Sequence, residues 1–211
     1  MAISTSKENI LKRIRKALTH STPLPFPQSD AKQNFFQPAK QDLELEFANQ
    51  FTKLQGKFIY CLNHSELAAR LHELILHRQW NKIYCREEKL KTVLGLNGFN
   101  HFSDVQLKDC DASITGCESL VARTGSIVMS AAQPSGRTVS VYAPVHICIA
   151  YVNQLVYDIK DALKLIKDKY GNQLPSLITF ATGPSRTADI EKTLVVGVHG
   201  PKEVYLMLVE A

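Results

Sequence analysis

Apolar residues recur at helical spacing near the start of the chain. Ile10, Leu11, Ile14, Ala17 and Leu18 fall on one face between Ser6 and Leu18, with Lys12, Arg13, Arg15 and Lys16 mostly opposite. That spacing predicts an amphipathic helix. Ser6 can cap its start, and Asn9 three residues on makes the capping signal partial. The pattern then stops. Pro23, Pro25, Pro27 and Pro38 punctuate residues 20–40. Each proline fixes its own φ and disfavours helix just before itself, so this stretch is expected to be an extended linker. The chain therefore reads as a helical arm over residues 1–40 and one domain over residues 41–211.

Within the domain the period alternates. Gln41 to Lys53 reads as helix, Lys57 to Cys61 as a short apolar strand, and Ser65 to Arg78 as helix with Leu67, Leu71, Leu74 and Ile75 inward. Lys82 to Cys85 is a strand and Glu87 to Leu94 a helix. Strands alternating with helices favour βαβ units and a parallel sheet. The second half is richer in strand. Ala112 to Ala131, Thr138 to Ala143 and Val145 to Tyr151 are β-rich, and Val156 to Lys169 is a helix ended by Gly171. Leu177 to Ala181, Leu194 to Val198 and Val204 to Val209 are apolar strands. The fold class expected is α/β, an open sheet flanked by helices, with the helical arm in front.

Charge sharpens the division. Of 25 Lys and Arg and 20 Asp and Glu in 211 residues, seven basic and two acidic fall in residues 1–40, which leaves the rest of the chain neutral. A basic arm can touch nucleic acid or a membrane. This one lacks a dense basic run, so a solvated helix or a partner-docking element is favoured and nucleic-acid binding is not expected. The five cysteines form no CxxC pair, and the closest two, Cys110 and Cys117, are seven apart. That argues against a zinc ribbon, an iron–sulfur cluster or a redox dithiol, and no metal site is expected. It also suggests a reducing compartment. The N-terminus lacks the apolar core of a secretory signal. The longest apolar run, Val145 to Val152, is far short of the roughly 20 residues that span a bilayer. No membrane insertion is expected, and the location expected is the cytoplasm.

Two segments carry candidate chemistry. In Gly183-Pro-Ser-Arg-Thr-Ala-Asp-Ile-Glu191 a strand runs into a Gly-Pro turn and a dense polar patch. Ligands of open α/β sheets bind outside the carboxyl ends of strands. Gly183 allows close approach, Ser185 and Thr187 offer hydroxyls, and Arg186 offers a forked cation, a set that suits a carboxylate or phosphate. In Gly197-Val-His-Gly-Pro201, His199 sits between glycines and is a candidate acid or base, with Gly200 beside it. A plain turn fits both segments as well. A weaker third segment, Ala122 to Val128, holds a turn at Thr124 and Gly125 that could join the ligand site. His146, inside an apolar run, reads as a satisfied core histidine. P-loop, dinucleotide-binding, zinc-protease and serine-hydrolase signatures are all missing.

The same segments carry a resemblance. Ile114-Thr-Gly-Cys117, Arg123-Thr-Gly-Ser126, Ala143-Pro-Val-His146, the run 183–191 and Gly197-Val-His-Gly-Pro201 follow the order and spacing of the LutC/YkgG family of lactate-utilisation proteins, which carry a LUD domain. The resemblance covers residues 40–211. It implies a NagB/RpiA/CoA-transferase-like fold. It further implies an accessory role beside two iron–sulfur partner proteins in oxidising lactate to pyruvate, with the clusters on the partners and a small anionic ligand here. Many relatives have an acidic residue where this chain has Arg123; Glu118 lies five residues earlier. Two alternatives stay open. One is a stand-alone enzyme acting on a phosphorylated or CoA-linked acid, with His199 and Asp189 as acid and base. The other is a non-enzymatic regulatory or nucleic-acid-binding module.

Overall fold

The computed structural model describes residues 6–19, 39, 41–187 and 195–210. The chain divides into two compact units, Met1–Pro38 and Ala39–Ala211. In the first, helix α1 (Ser6–Leu18) forms where the apolar stripe predicts it, and none of its residues is buried. The proline-rich stretch lies outside the described residues.

The second unit opens with the expected alternation of α2 (Leu43–Lys53), β1 (Lys57–Cys61), α3 (His64–Arg78), β2 (Ile83–Cys85) and α4 (Glu88–Leu96). Asn63 starts α3 by accepting the Glu66 N–H at 2.9 Å, and Gln79 closes it in the left-handed region. There follow β3 (Ala112–Thr115), β4 (Ser119–Val121), β5 (Ser126–Ser130), α5 (Val139–Tyr142), β6 (Val145–Tyr151), β7 (Leu155–Val156) and α6 (Ile159–Tyr170). The last elements are β8 (Ile178–Ala181), β9 (Arg186–Thr187), β10 (Val195–Val196) and β11 (Glu203–Val209).

Five of these strands form a parallel sheet in the order β1-β11-β6-β3-β2. Its central strands read as unbroken apolar runs because both faces are covered. On β6 and β11, Val145, Ile147, Ile149, Tyr205, Met207 and Val209 pack with Leu67 and Leu71 of α3 and Leu90 and Leu94 of α4. The alternate positions Cys148, Ala150, Leu206 and Leu208 pack with Phe47 and Phe51 of α2 and with Leu120, Ile127 and Met129.

Those last three residues belong to a second sheet, β7-β4-β5-β8, in which β5 runs antiparallel to both neighbours. The expectation of a single sheet therefore needs correction: the strands of the second half divide between two stacked sheets. The side-chain period of two explains it. Leu120 and Ile127 face the parallel sheet, while Val121 and Val128 face outward onto Ala162 and Ile166 of α6. Leu120 and Ile127 are fully buried, each contributing about 1.5–3 kcal/mol. Asp158 starts α6, and its carboxylate accepts the Lys160 N–H at 3.3 Å.

Two further expectations change. Thr138 to Ala143 reads as strand but forms α5, because β6 and β2 already occupy both edges of β3. The segment instead lies over the face of β3, where Ser113 Oγ donates to the Val139 carbonyl at 2.8 Å. The strand expected over Leu194 to Val198 shrinks to β10, which pairs antiparallel with β9 in a separate ribbon. Val195 and Val196 are both exposed there.

Candidate functional site

The site grows from the carboxyl end of α2. Two glycines in the left-handed region press against it. A Cβ at Gly125 (φ +61°) would lie 2.5 Å from Phe51 N, and one at Gly183 (φ +83°) would lie 2.5 Å from Leu54 O. Both glycines thus serve backbone-on-backbone packing. Arg186, expected to face an anion, is exposed and donates from Nη2 to the Leu54 carbonyl at 2.5 Å. It caps the helix that Gly183 touches. Thr187 sits beside it on β9, opposite Val195. Thr124 begins a chain of hydroxyls: its Oγ1 lies 2.7 Å from Ser126 Oγ, which lies 2.9 Å from Thr182 Oγ1.

The two turns singled out in the sequence do meet. The Ser185 N–H donates to the Pro201 carbonyl and the Gly197 N–H to the Ser185 carbonyl, both at 2.9 Å. A Cβ at Gly200 would lie 2.9 Å from the Ser185 Cβ. Beneath the junction is a cavity of about 290 Å³ whose lining includes Met129, His146, Gly183, Ser185, His199 and Gly200. Gly183, His199 and Gly200 donate no backbone hydrogen bond among the described residues. His199 and Gly200 also border a neighbouring cavity of about 450 Å³, with Tyr142, Pro144 and Lys202. Asp189, the expected partner of His199, lies outside the described residues.

Sequence reasoning placed the site at strand carboxyl ends. That holds for β8 of the second sheet, but His146, Pro201 and Val204 lie at the amino ends of β6 and β11 in the parallel sheet. The cavity opens between the sheets. It also takes in His146, which the apolar run around it concealed. Register puts Ser113 opposite His146 and Thr115 opposite Cys148, so His146 and Thr115 share the inner face. His146 Nε2 lies 2.8 Å from Thr115 Oγ1. The residue is 1% exposed, and burial pushes its pKa down to about 4, which leaves a neutral imidazole.

Neither Arg123 nor Glu118 joins this cavity. Arg123 Nε donates to Asp158 Oδ2 at 2.9 Å. Burial raises the Asp158 pKa, but the hydrogen bond from Arg123, those from the Lys160 and Ile159 N–H groups and the Arg123 charge outweigh it and hold the carboxyl below its usual value. Glu118 accepts from Ser130 Oγ at 2.6 Å, Tyr170 Oη at 2.7 Å and Lys169 Nζ at 2.7 Å. Burial works upward on Glu118 too, and bonds from Lys169, Ser130 and Tyr170 more than offset it. Among the described residues no group of three or more His, Cys, Asp or Glu is placed to hold a metal ion. All five cysteines are buried and unpaired. No helix among the described residues is long and apolar enough to cross a membrane.

Fold and site together define an α/β protein with a small cavity between a parallel and a mixed sheet. The LUD domain model matches residues 102–209. The chain belongs to the LUD-domain family, the LutC/YkgG lactate-utilisation proteins. It is 27% identical to lactate utilization protein C of Anoxybacillus flavithermus over 96% of this chain and 97% of that protein. Against lactate utilization protein C 1 of Bacillus mycoides the identity is 32%, over 64% of this chain and 66% of that protein. Against lactate utilization protein C of Bacillus subtilis it is 36%, and the match spans 48% of this chain and 43% of that one. A crystal structure of a duf162 family protein from Deinococcus radiodurans shares the fold, with a TM-score of 0.58 and 17% identity over 82% of this chain and 99% of that chain.

Proposed function

We propose that this protein is an accessory subunit of an iron–sulfur-dependent system that oxidises lactate to pyruvate in the cytoplasm. It binds a small anion, a carboxylate or phosphate, in the cavity between the turns at Gly183–Ser185 and His199–Pro201. Two iron–sulfur proteins carry the clusters and the electrons, and this chain docks to them. Its fold is of the NagB/RpiA/CoA-transferase-like kind.

The observation that carries the reading is the meeting of the two turns over one cavity. Gly183, Ser185, His199 and Gly200 line it, and the peptide N–H groups of Gly183, His199 and Gly200 donate to no backbone carbonyl among the described residues. Such donors suit a carboxylate, and backbone donors need no charge of their own to bind it. The cavity is at the small end for ligand sites, which run from about 300 Å³ upward. Arg186 and Thr187 stand on β9, next in sequence to Ser185, and Thr124 connects through the Ser126 hydroxyl to Thr182, which lines the cavity, while Gly125 packs on α2. A relative named lactate utilization protein C, matched over 96% of this chain, supports placing the anion in such a system.

The test has two arms. Calorimetry with lactate, pyruvate and inorganic phosphate is expected to give saturable binding that His199→Ala weakens about tenfold, the size of one charge-assisted hydrogen bond. Cells that express the two iron–sulfur proteins without this chain are expected to lose lactate-dependent growth. Absence of binding to all three anions, together with full growth, would overturn the reading.

A further inference from the structure

A residue that the sequence reading assigned to the core lies on the floor of the same cavity. His146 is 1% exposed, yet it lines the space beneath the two turns. Its Nε2 is taken by Thr115 Oγ1 at 2.8 Å. Its Nδ1 bonds to none of the described residues. Nor is that atom sealed in: among the described residues the Ser119 hydroxyl is the single fully enclosed side-chain N or O without a partner. The free nitrogen of a buried imidazole therefore reaches the cavity.

A polar atom turned from a protein core into a small cavity is costly to leave unpaired, so its position states what the cavity takes. A neutral imidazole carries one N–H. A Thr115 hydroxyl that donates to Nε2 puts that proton on Nδ1, the nitrogen left for a ligand. The turns above supply donors for a carboxylate. One further donor, uncharged and fixed from below, suits an oxygen on the adjacent carbon. A keto oxygen accepts such a bond, and so does a hydroxyl.

We propose that His146, oriented by Thr115, is the group that recognises the oxygen on the second carbon of a 2-oxo or 2-hydroxy acid, and so sets the selectivity of the cavity for that class over simple carboxylates. The inference rests on the anion-binding reading above. Thr115 is a positioning residue, since it acts only through His146. Thr115→Val removes the hydroxyl at nearly constant volume and frees the ring to adopt either tautomer. Thr115→Ser keeps the hydroxyl.

The experiment compares pyruvate with propanoate, which lacks the second oxygen, by calorimetry on the full chain. The unmutated protein is expected to prefer pyruvate about tenfold, as one well-placed buried hydrogen bond allows. His146→Phe and Thr115→Val should bring that preference close to unity, and Thr115→Ser should retain it. Nitrogen NMR of the unmutated protein gives a check that needs no variant: pyruvate should move the His146 Nδ1 resonance and propanoate should not. A preference that survives Thr115→Val, with an unmoved Nδ1 signal, overturns the role of His146 and leaves the anion site standing. Equal affinity for both acids in the unmutated protein overturns it too. Failure to bind either acid removes the anion site itself, and this inference with it.

Discussion

Arg123 and Asp158 form an ion pair that joins the turn after β4 to the start of α6: Nε to Oδ2 is 2.9 Å, Nη2 to Oδ1 is 3.4 Å, and the carboxylate side chain is 4% exposed. The same carboxylate accepts the Lys160 N–H, so one residue both caps the helix and ties it to the second sheet. Arg123 is thus accounted for by its partner.

Reversing that charge should be disruptive. In Arg123→Glu, two carboxylates would face each other at a partly buried site. Breaking a buried pair costs about 3–5 kcal/mol, and the partial exposure of Arg123 places the expected loss nearer 2–3 kcal/mol. Urea unfolding measures it. A double variant, Arg123→Glu with Asp158→Lys, should recover part of the loss, and no recovery would show that Arg123 acts elsewhere.

Gly125→Ala should destabilise far more than Gly98→Ala. Both glycines have positive φ, but a Cβ at 98 meets nothing within 4 Å, whereas at 125 it meets the α2 backbone. Gly98→Ala carries only the left-handed strain of about 1–2 kcal/mol. Gly125→Ala adds overpacking of about 1–3 kcal/mol. Equal losses in denaturant unfolding would mean that α2 moves aside freely.

Stability should depend on His146 below neutral pH. The folded protein keeps this ring neutral down to about pH 4, while the unfolded chain protonates it near its ordinary 6.5. Its folded pKa is lowered and it is a base, so the unfolded state binds the extra proton and stability falls as pH drops from 6.5 toward 4. Between about pH 7.5 and 5 the loss is about 2 kcal/mol. Glu118 and Asp158, held below their ordinary values, lose their contribution only as pH falls below about 4. Unfolding of the unmutated protein and His146→Gln at both pH values isolates the effect, and parallel behaviour would contradict it.

Arg186→Ala is expected to lower the melting temperature and leave anion affinity within about twofold, less than a charge-assisted bond to ligand would cost. The reason is that its guanidinium is engaged with Leu54 O. Arg186→Lys should restore part of the stability. A tenfold affinity loss would return Arg186 to the anion site.

Removal of residues 1–38 should leave a folded body, because α1 buries none of its residues. Circular dichroism would then show only the loss of a short helix, and a cooperative melt near that of the full chain. An unfolded product would show that the arm is integral.

Local information sufficed where the physics is local. The apolar stripe of α1, the alternation from α2 through α4 and the α6 helix closed by Gly171 depend on spacing, caps and turn residues, all of which lie along the chain. So did the two turns at Gly183 and His199, whose polar residues stand out against apolar strands. What the chain could not disclose was pairing. An apolar run such as Val145 to Tyr151 does not say which face meets which sheet, so His146 looked like core. Only the β3–β6 register put it beside Thr115, and only the stacking of a second sheet put it under the turns. Likewise only the tertiary structure shows that Gly183 and Arg186 both meet Leu54 at the end of α2, because what a glycine's open space admits is settled by what packs against it.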